Sequence, residues 1–266
     1  MNPIDTCFQK LAAKGQHALM PYLTLGYPEL DSALTLIPAI IDGGADIIEI
    51  GVPFSDPLAD GKVIQATSEQ AIANGLTMTH ALAQLRELGC RIRLPPLVLM
   101  TYTNVLMNHG FEQFARQAKD SGVNGLIVPD MPLEESSELR TALEAQNIHF
   151  IFMVTPNLPQ SRIDAITKVA RGFIYMVSVT GVTGERTELP DISAFVARMR
   201  SSTKIPLALG FGISSSEQAQ ALQNQVDGII IGSALMKRLA DPTSACHNAT
   251  AFLKPFKAAI NVDDHA

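Results

Sequence analysis

Eight short apolar runs recur along the chain, each continuous rather than alternating. They are ALMPYLTL (18–25), DIIEIGV (46–52), PLVLMTY (96–102), GLIVPD (125–130), HFIFMV (149–154), FIYMVSV (173–179), PLALGFG (206–212) and GIIIGSAL (228–235). Most are entered or left through Gly, Pro, Asn or Asp. Continuous apolar runs of this length are the mark of strands buried on both faces of a parallel sheet. Between them lie segments of helical spacing. ELDSALTLIPAIIDGG (29–44) ends in a Gly-Gly stop, and GFEQFARQAKDSG (110–122) and PLEESSELRTALEAQN (132–147) repeat the pattern. SSSEQAQALQNQ (214–225) opens with Ser214 and Glu217 at capping-box spacing. Further helices are expected over 62–73, 77–88 and from Pro190-Asp191 to Arg200.

Eight strands alternating with helices over 266 residues predict an α/β fold of the (β/α)8 TIM-barrel type. A barrel of this kind occupies about 250 residues as one domain. With no linker and no shift in composition, a single domain over 1–266 is expected, with residues 2–14 as an extra helix at the barrel's bottom. A doubly wound open sheet is the alternative, but no GxGxxG follows the first run. The last residues, NVDDHA, are expected to fray.

Composition narrows the function classes. Hydrophobic residues at 47% and charged residues at 17% exclude a disordered chain. The formal charge of −6 comes with no Lys/Arg block, which argues against nucleic acid or an anionic membrane as partner. Cys7, Cys90 and Cys246 form neither a CxxC pair nor a zinc spacing and read as reduced thiols. The histidines show no HExxH pattern and read as structural or exposed, so no metal site is expected. No apolar run reaches the ~18 residues of a membrane span, and the first residues lack a signal peptide's apolar core. The expected location is the cytoplasm.

Active sites of such barrels lie at the C-terminal ends of the strands. Glu49 is the anomaly there, a carboxylate between Ile48 and Ile50 in a strand with no solvent face. Burial raises a carboxyl pKa and fits it to exchange protons near neutrality. The plainer account is a Glu paired with a buried cation or bonded to backbone. Asp56 and Asp60 follow in PFSDPLADG, where they could stabilise positive charge on a substrate. Each has an ordinary structural account too, Asp56 as a turn residue before Pro57 and Asp60 as a helix cap. Gly210-Phe211-Gly212 and Gly232-Ser233 follow the seventh and eighth runs, where this fold commonly binds phosphate, although tight turns alone also need glycine. The polar, glycine-hinged stretch from Thr180 to Arg186 has the composition of a lid, extending over 180–189, and equally of an ordinary mobile loop. Tyr22, Tyr102 and Tyr175 stand at or near strand ends, as ligand contacts or as packing. These residues point to carboxylate acid–base chemistry on a small phosphorylated substrate.

GADIIEIGVPFSDPLADGKVIQ (44–65) closely resembles the signature of the tryptophan synthase alpha chain family. PYLTLGYP (21–28), MTYTNVLMNHG (100–110), GLIVPDMPLEES (125–136), SVTGVTGER (178–186) and LGFGIS (209–214) resemble further family segments in family order. The resemblance covers essentially the whole chain. It implies a lyase that cleaves indole-3-glycerol phosphate to indole and glyceraldehyde 3-phosphate by a retro-aldol reaction. It also implies passage of indole to a beta chain in an α2β2 complex, with pyridoxal phosphate only in that partner and no cofactor here. By resemblance, Glu49 is the acid–base residue and Asp60 accepts the indole N–H. Tyr22, Met100, Tyr102, Tyr175 and Thr183 line the substrate, Thr183 as the lid residue that reaches Asp60. Gly184, Phe211, Gly212, Gly232 and Ser233 hold the phosphate, and Pro53, Asp56, Asn104 and Asn108 face the beta chain. Lys62 stands where the family often has proline, and Tyr22 where it often has phenylalanine. A stand-alone lyase, another sugar-phosphate barrel isomerase and a non-enzymatic regulatory chain are the competing readings. Intact Glu49 and Asp60 argue against the last, and the Glu-to-Asp spacing against the isomerase.

Overall fold

The structure is a computed structural model and describes residues 1–177, 191–210 and 212–261. Its order is α1 (Pro3–Ala12), β1 (Ala18–Thr24), α2 (Ala33–Asp42), β2 (Ile48–Gly51), α3 (Lys62–Ala73), α4 (Met78–Arg91), β3 (Leu97–Met100), α5 (Thr103–His109), α6 (Phe111–Asp120), β4 (Val123–Ile127), α7 (Ser137–Glu144), β5 (His149–Ile151) and β6 (Met153–Val154). It continues with α8 (Gln160–Val169), β7 (Ile174–Val177), α9 (Ser193–Ser202), β8 (Leu207–Gly210), α10 (Ser216–Leu222), β9 (Gly228–Ile231), α11 (Ser233–Met236) and α12 (Ala245–Ala259).

All pairings are parallel, in the order β5-β4-β3-β2-β1-β9-β8-β7-β6. The first and last of these are two halves of one predicted run. β5 pairs with β4, the chain passes through Phe152, and β6 pairs with β7. Tyr175 N–H donates to the Phe152 carbonyl across the gap at 3.0 Å. Eight predicted strands thus appear as nine in a nearly closed TIM barrel, because the fifth changes partner midway. Most strands are shorter than their apolar runs. The residues just past the strands' C-terminal ends, such as Val52, Thr101 and Val128, lead into the loops that build the site.

The bottom is closed by α1, whose Ile4, Phe8 and Leu11 are buried. Asn2 caps this helix, accepting from Ile4 N–H at 2.8 Å, and its side-chain amide donates to the carbonyls of Asn124 (2.9 Å) and Asn147 (2.8 Å). Two details differ from the sequence expectations. The box on α10 is Ser215 with Gln218, one residue later than the Ser214–Glu217 spacing, and Ser214 instead donates to the Gln218 side chain. The helix expected from Asp191 to Arg200 runs from Ser193 to Ser202, with Asp191 accepting from Ser193 N–H. His149 opens β5, at the barrel end away from the catalytic strand ends, 2.9 Å from Asp5. The helices α8 and α12 carried no strong sequence signal, and Pro255 inside α12 interrupts the helical pattern.

Candidate active site

A pocket with about 620 Å³ of free space, its mouth included, opens at the C-terminal end of the barrel. Glu49 on β2 and Tyr22 on β1 are register partners, and both face into it. Glu49 is 2% exposed, and its Oε2 has no hydrogen-bond partner among the described residues. Burial, and secondarily the charge of Asp60, push its pKa from 4.5 up to about 8. No described cation forms an ion pair with it within the geometry of a salt bridge, so the paired-Glu account finds no support among the described residues. At neutral pH this carboxyl holds a proton and lies close to the point of losing it.

Asp60 ends the loop between β2 and α3 and is 5% exposed. Its Oδ2 accepts from the Tyr102 hydroxyl at 3.0 Å. Burial raises its pKa to about 6, with the Tyr102 hydrogen bond acting against that rise. The helix α3 starts from Gly61 with no side-chain cap, so capping does not account for the Asp60 side chain. Asp56, by contrast, is exposed, in a turn in which Leu58 N–H donates to its carbonyl, and its carboxylate accepts from Ser55 Oγ.

Two tyrosines are seated by glycines that sequence reasoning did not connect to them. A Cβ placed on Gly51 would lie 2.0 Å from the Tyr22 hydroxyl oxygen, and one on Gly210 would lie 2.3 Å from that of Tyr175. Each ring lies over the last glycine of a neighbouring strand, β2 for Tyr22 and β8 for Tyr175. Glycine at these positions lets the rings close the pocket from two sides. Gly210 therefore supports a ring at the end of β8. Burial, then the neighbouring carboxylates, push both hydroxyls well above the ordinary tyrosine pKa.

The structure brings Tyr22, Glu49, Asp60, Met100, Tyr175, Gly212, Gly232 and Ser233 around this one pocket. Gly212 has φ of +83°, a conformation that favours glycine, and Gly232 and Ser233 lead into α11. Tyr102 stands behind Asp60 and is not among the lining residues. Lys62 is exposed at the start of α3. Pro53, Asp56, Asn104 and Asn108 lie outside the pocket on the loop after β2 and on α5, with Pro53 half-buried and the other three exposed. Thr183, Gly184, Phe211 and the lid expected over 180–189 lie outside the described residues. Ile64, Pro129, Met153, Ile213 and Ile230 complete an apolar wall. Their only sequence signal was position at or just past a strand or helix end, which apolar residues share throughout this chain. Among the described residues no group of three or more His, Cys, Asp or Glu is arranged to hold a metal ion.

Comparison with known proteins points to one family. A family model described as tryptophan synthase alpha chain matches residues 8–261. The tryptophan synthase alpha chain of Roseiflexus sp. (strain RS-1) is 48% identical over 240 residues, 89% of this chain and 91% of that one. That of Chloroflexus aurantiacus is 41% identical over 263 residues, 98% and 99% of the two chains. Among solved structures, tryptophan synthase subunit alpha from Legionella pneumophila superposes with a TM-score of 0.91 at 31% identity, covering 98% of this chain and 99% of that one. A chain of Mycobacterium tuberculosis tryptophan synthase gives 0.89 at 32% identity, covering 98% of each.

Proposed function

The chain belongs to the tryptophan synthase alpha chain family and has the role of that enzyme's alpha subunit, a lyase of tryptophan biosynthesis, and on this premise we propose that Glu49 and Asp60 carry its chemistry. The observation that supports the assignment is that Glu49 lines the pocket with a buried Oε2 that has no hydrogen-bond partner among the described residues. A carboxyl with a pKa of about 8 delivers a proton to the indole carbon that bears the side chain of indole-3-glycerol phosphate. The resulting carboxylate takes the proton of the hydroxyl on the adjacent side-chain carbon. The bond between these two carbons breaks, its electron pair returns to the ring, and indole and glyceraldehyde 3-phosphate are released. Positive charge develops on the ring nitrogen in between, and Asp60 accepts its N–H and offsets that charge. The apolar wall excludes water and seats the ring, with Tyr22, Met100 and Tyr175 against it. Gly212, Gly232 and Ser233 form the phosphate end, where glycine permits close backbone approach. Thr183, Gly184 and Phe211 are assigned to lid and phosphate on the resemblance alone.

Family membership supports a beta chain as partner. We place its contact on the rim that holds Pro53, Asp56, Asn104 and Asn108. On that rim Leu58 is 86% and Met107 65% exposed, two apolar side chains whose burial would favour association. An α2β2 assembly, indole transfer to the partner, pyridoxal phosphate confined to that partner, a single domain over 1–266 and a cytoplasmic location complete the proposal. No helix among the described residues is long and apolar enough to cross a membrane.

The test is indole release from indole-3-glycerol phosphate by the chain alone and with a cognate beta chain. Slow release that rises strongly with the partner is the expected result, with Glu49→Gln abolishing release while phosphate-ligand binding survives. Near-normal turnover in Glu49→Gln would remove the acid–base assignment. Release indifferent to the beta chain would remove the partnership.

A further inference from the structure

Asp60 lies on a loop, between Gly51 and Lys62, that belongs to no strand or helix. Gln65 Nε2 donates to its carbonyl at 2.9 Å, and the Tyr102 side chain holds its carboxylate from behind. The Tyr102 hydroxyl donates its proton to Asp60 Oδ2 at 3.0 Å and accepts Ala59 N–H at 3.3 Å, so a single oxygen holds both the carboxylate and the backbone next to it. Tyr102 is 3% exposed, and its ring packs on Phe54 of the same loop with centroids 5.3 Å apart.

Tyr102 is also the residue from which α5 springs. Its carbonyl accepts from Val105 N–H (3.1 Å) and Leu106 N–H (3.3 Å). The first turn is pinned on the other side by Asp130, whose Oδ1 accepts from both N–H and Oγ1 of Thr103 at 2.9 Å. The short helix then presents Asn104, Met107 and Asn108 outward, beside the loop that presents Asp56 and Leu58. The outer rim and the inner carboxylate are thus separated by one aromatic residue, bonded to Asp60 at its tip and continuous with α5 at its backbone.

We propose that Tyr102 is a positioning residue that couples the rim formed by α5 and the loop at 53–58 to Asp60, so that a partner surface seated on the rim sets the orientation of the catalytic carboxylate. The proposal rests on the readings of Asp60 and of the rim given above. A hydrogen bond at 3.0 Å is lost by about 3.6 Å, so a shift of well under 1 Å between α5 and the loop suffices to release the carboxylate. Burying Leu58 and Met107 against a partner selects one arrangement of the rim, and through Tyr102 one arrangement of Asp60.

The test uses the full chain carrying Tyr102→Phe, which keeps the ring on Phe54 and removes only the hydroxyl, with and without a cognate beta chain. Three quantities are read: the pH profile of kcat/KM for indole release, the stimulation by the beta chain, and the affinity for that chain. The lost hydrogen bond held Asp60 down, so the limb of the profile set by Asp60 should move to higher pH by about one unit. Stimulation should fall about tenfold or more while the beta-chain Kd changes less than about threefold, since the hydroxyl does not face the partner. Phe54→Leu, which leaves the hydroxyl and removes its ring support, should move both readouts the same way by less. An unchanged profile with unchanged stimulation in both variants would overturn the proposal. A shifted profile with full stimulation would overturn the coupling and leave Tyr102 as a local prop. If Asp60→Asn in the otherwise native chain keeps normal turnover, or native release ignores the beta chain, the underlying site reading has failed instead.

Discussion

Glu49 should make the protein less stable as pH rises through neutrality, and Glu49→Gln should remove that slope. The folded chain holds this proton far more tightly than the unfolded chain does, with a pKa of about 8 against 4.5. A group whose pKa is raised on folding favours the folded state fully below its unfolded pKa, and that advantage is lost as pH rises through the folded value. At about 1.4 kcal/mol per unit, ionisable Glu49 costs the folded state about 1 kcal/mol at pH 5 and about 4 kcal/mol at pH 8, relative to a side chain that stays neutral. The glutamine amide keeps an unpartnered polar atom in the same place, a cost of about 1–3 kcal/mol that does not vary with pH. The slope of the difference between the two proteins is therefore the informative quantity. Asp60 titrates in both, between 3.8 and about 6, so the range from 6 to 8 reports Glu49 most cleanly. The chain has no tryptophan, so urea unfolding followed by far-UV circular dichroism at intervals from pH 5 to 8.5 is the assay. The glutamine variant should gain on the wild type by about 4 kcal/mol across that range. A flat difference, or one of opposite tilt, would show that Glu49 is solvated or paired, and the acid–base argument would lose its basis.

Gly210→Ala places a Cβ 2.3 Å from the Tyr175 hydroxyl oxygen and 2.5 Å from two ring carbons, so the ring must leave its seat. A stability loss of about 1–3 kcal/mol is expected, together with at least a tenfold loss of kcat/KM; normal activity would show that the ring position is immaterial. Asn2→Ala removes a helix cap and two hydrogen bonds to the barrel bottom. It should lower stability by about 2–4 kcal/mol with kcat/KM unchanged in the folded fraction, read by urea midpoint and single-turnover indole release.

How much of this was legible in the sequence depends on what each residue had to reveal. The barrel was legible because its strands are buried on both faces, so burial alone marks them. The division of the fifth strand at Phe152 was not, because a change of pairing partner alters hydrogen bonds without altering apolar character. Glu49 stood out as a charge among isoleucines. Asp56 and Asp60 looked alike in sequence, each with an ordinary turn or cap reading, and only geometry separates an exposed turn residue from a buried carboxylate held by a tyrosine. Tyr102 was visible as a strand-end tyrosine, but its direction depends on how the chain leaves β3, which no periodicity encodes. Gly51 carried no signal of its own, since its role is defined by a ring on the neighbouring strand.

The two ends of the barrel treat their charges in opposite ways. At the N-terminal ends, three acidic and amide side chains are satisfied. Asp46 accepts from Leu19 N–H and pairs with Lys257 at 2.7 Å. Asp227 accepts from Leu207 N–H and pairs with Arg200, and Asn124 accepts from Leu97 N–H. Each of these residues, placed just before or near the start of one strand, holds the beginning of the preceding one. At the C-terminal ends, Glu49 and Asp60 are buried together, without such a partner for Glu49 Oε2 among the described residues and with the Asp60 charge adding to burial in raising the Glu49 pKa. The lower end carries stability and the upper end carries a standing cost, the division expected when a fold separates scaffold from chemistry. A lysine or arginine beside Glu49 would relieve that cost. It would also return the carboxyl to a permanently ionised state near neutral pH, with no proton left to deliver to the ring. The absence of a paired cation beside Glu49 among the described residues is therefore what keeps it an acid near neutral pH.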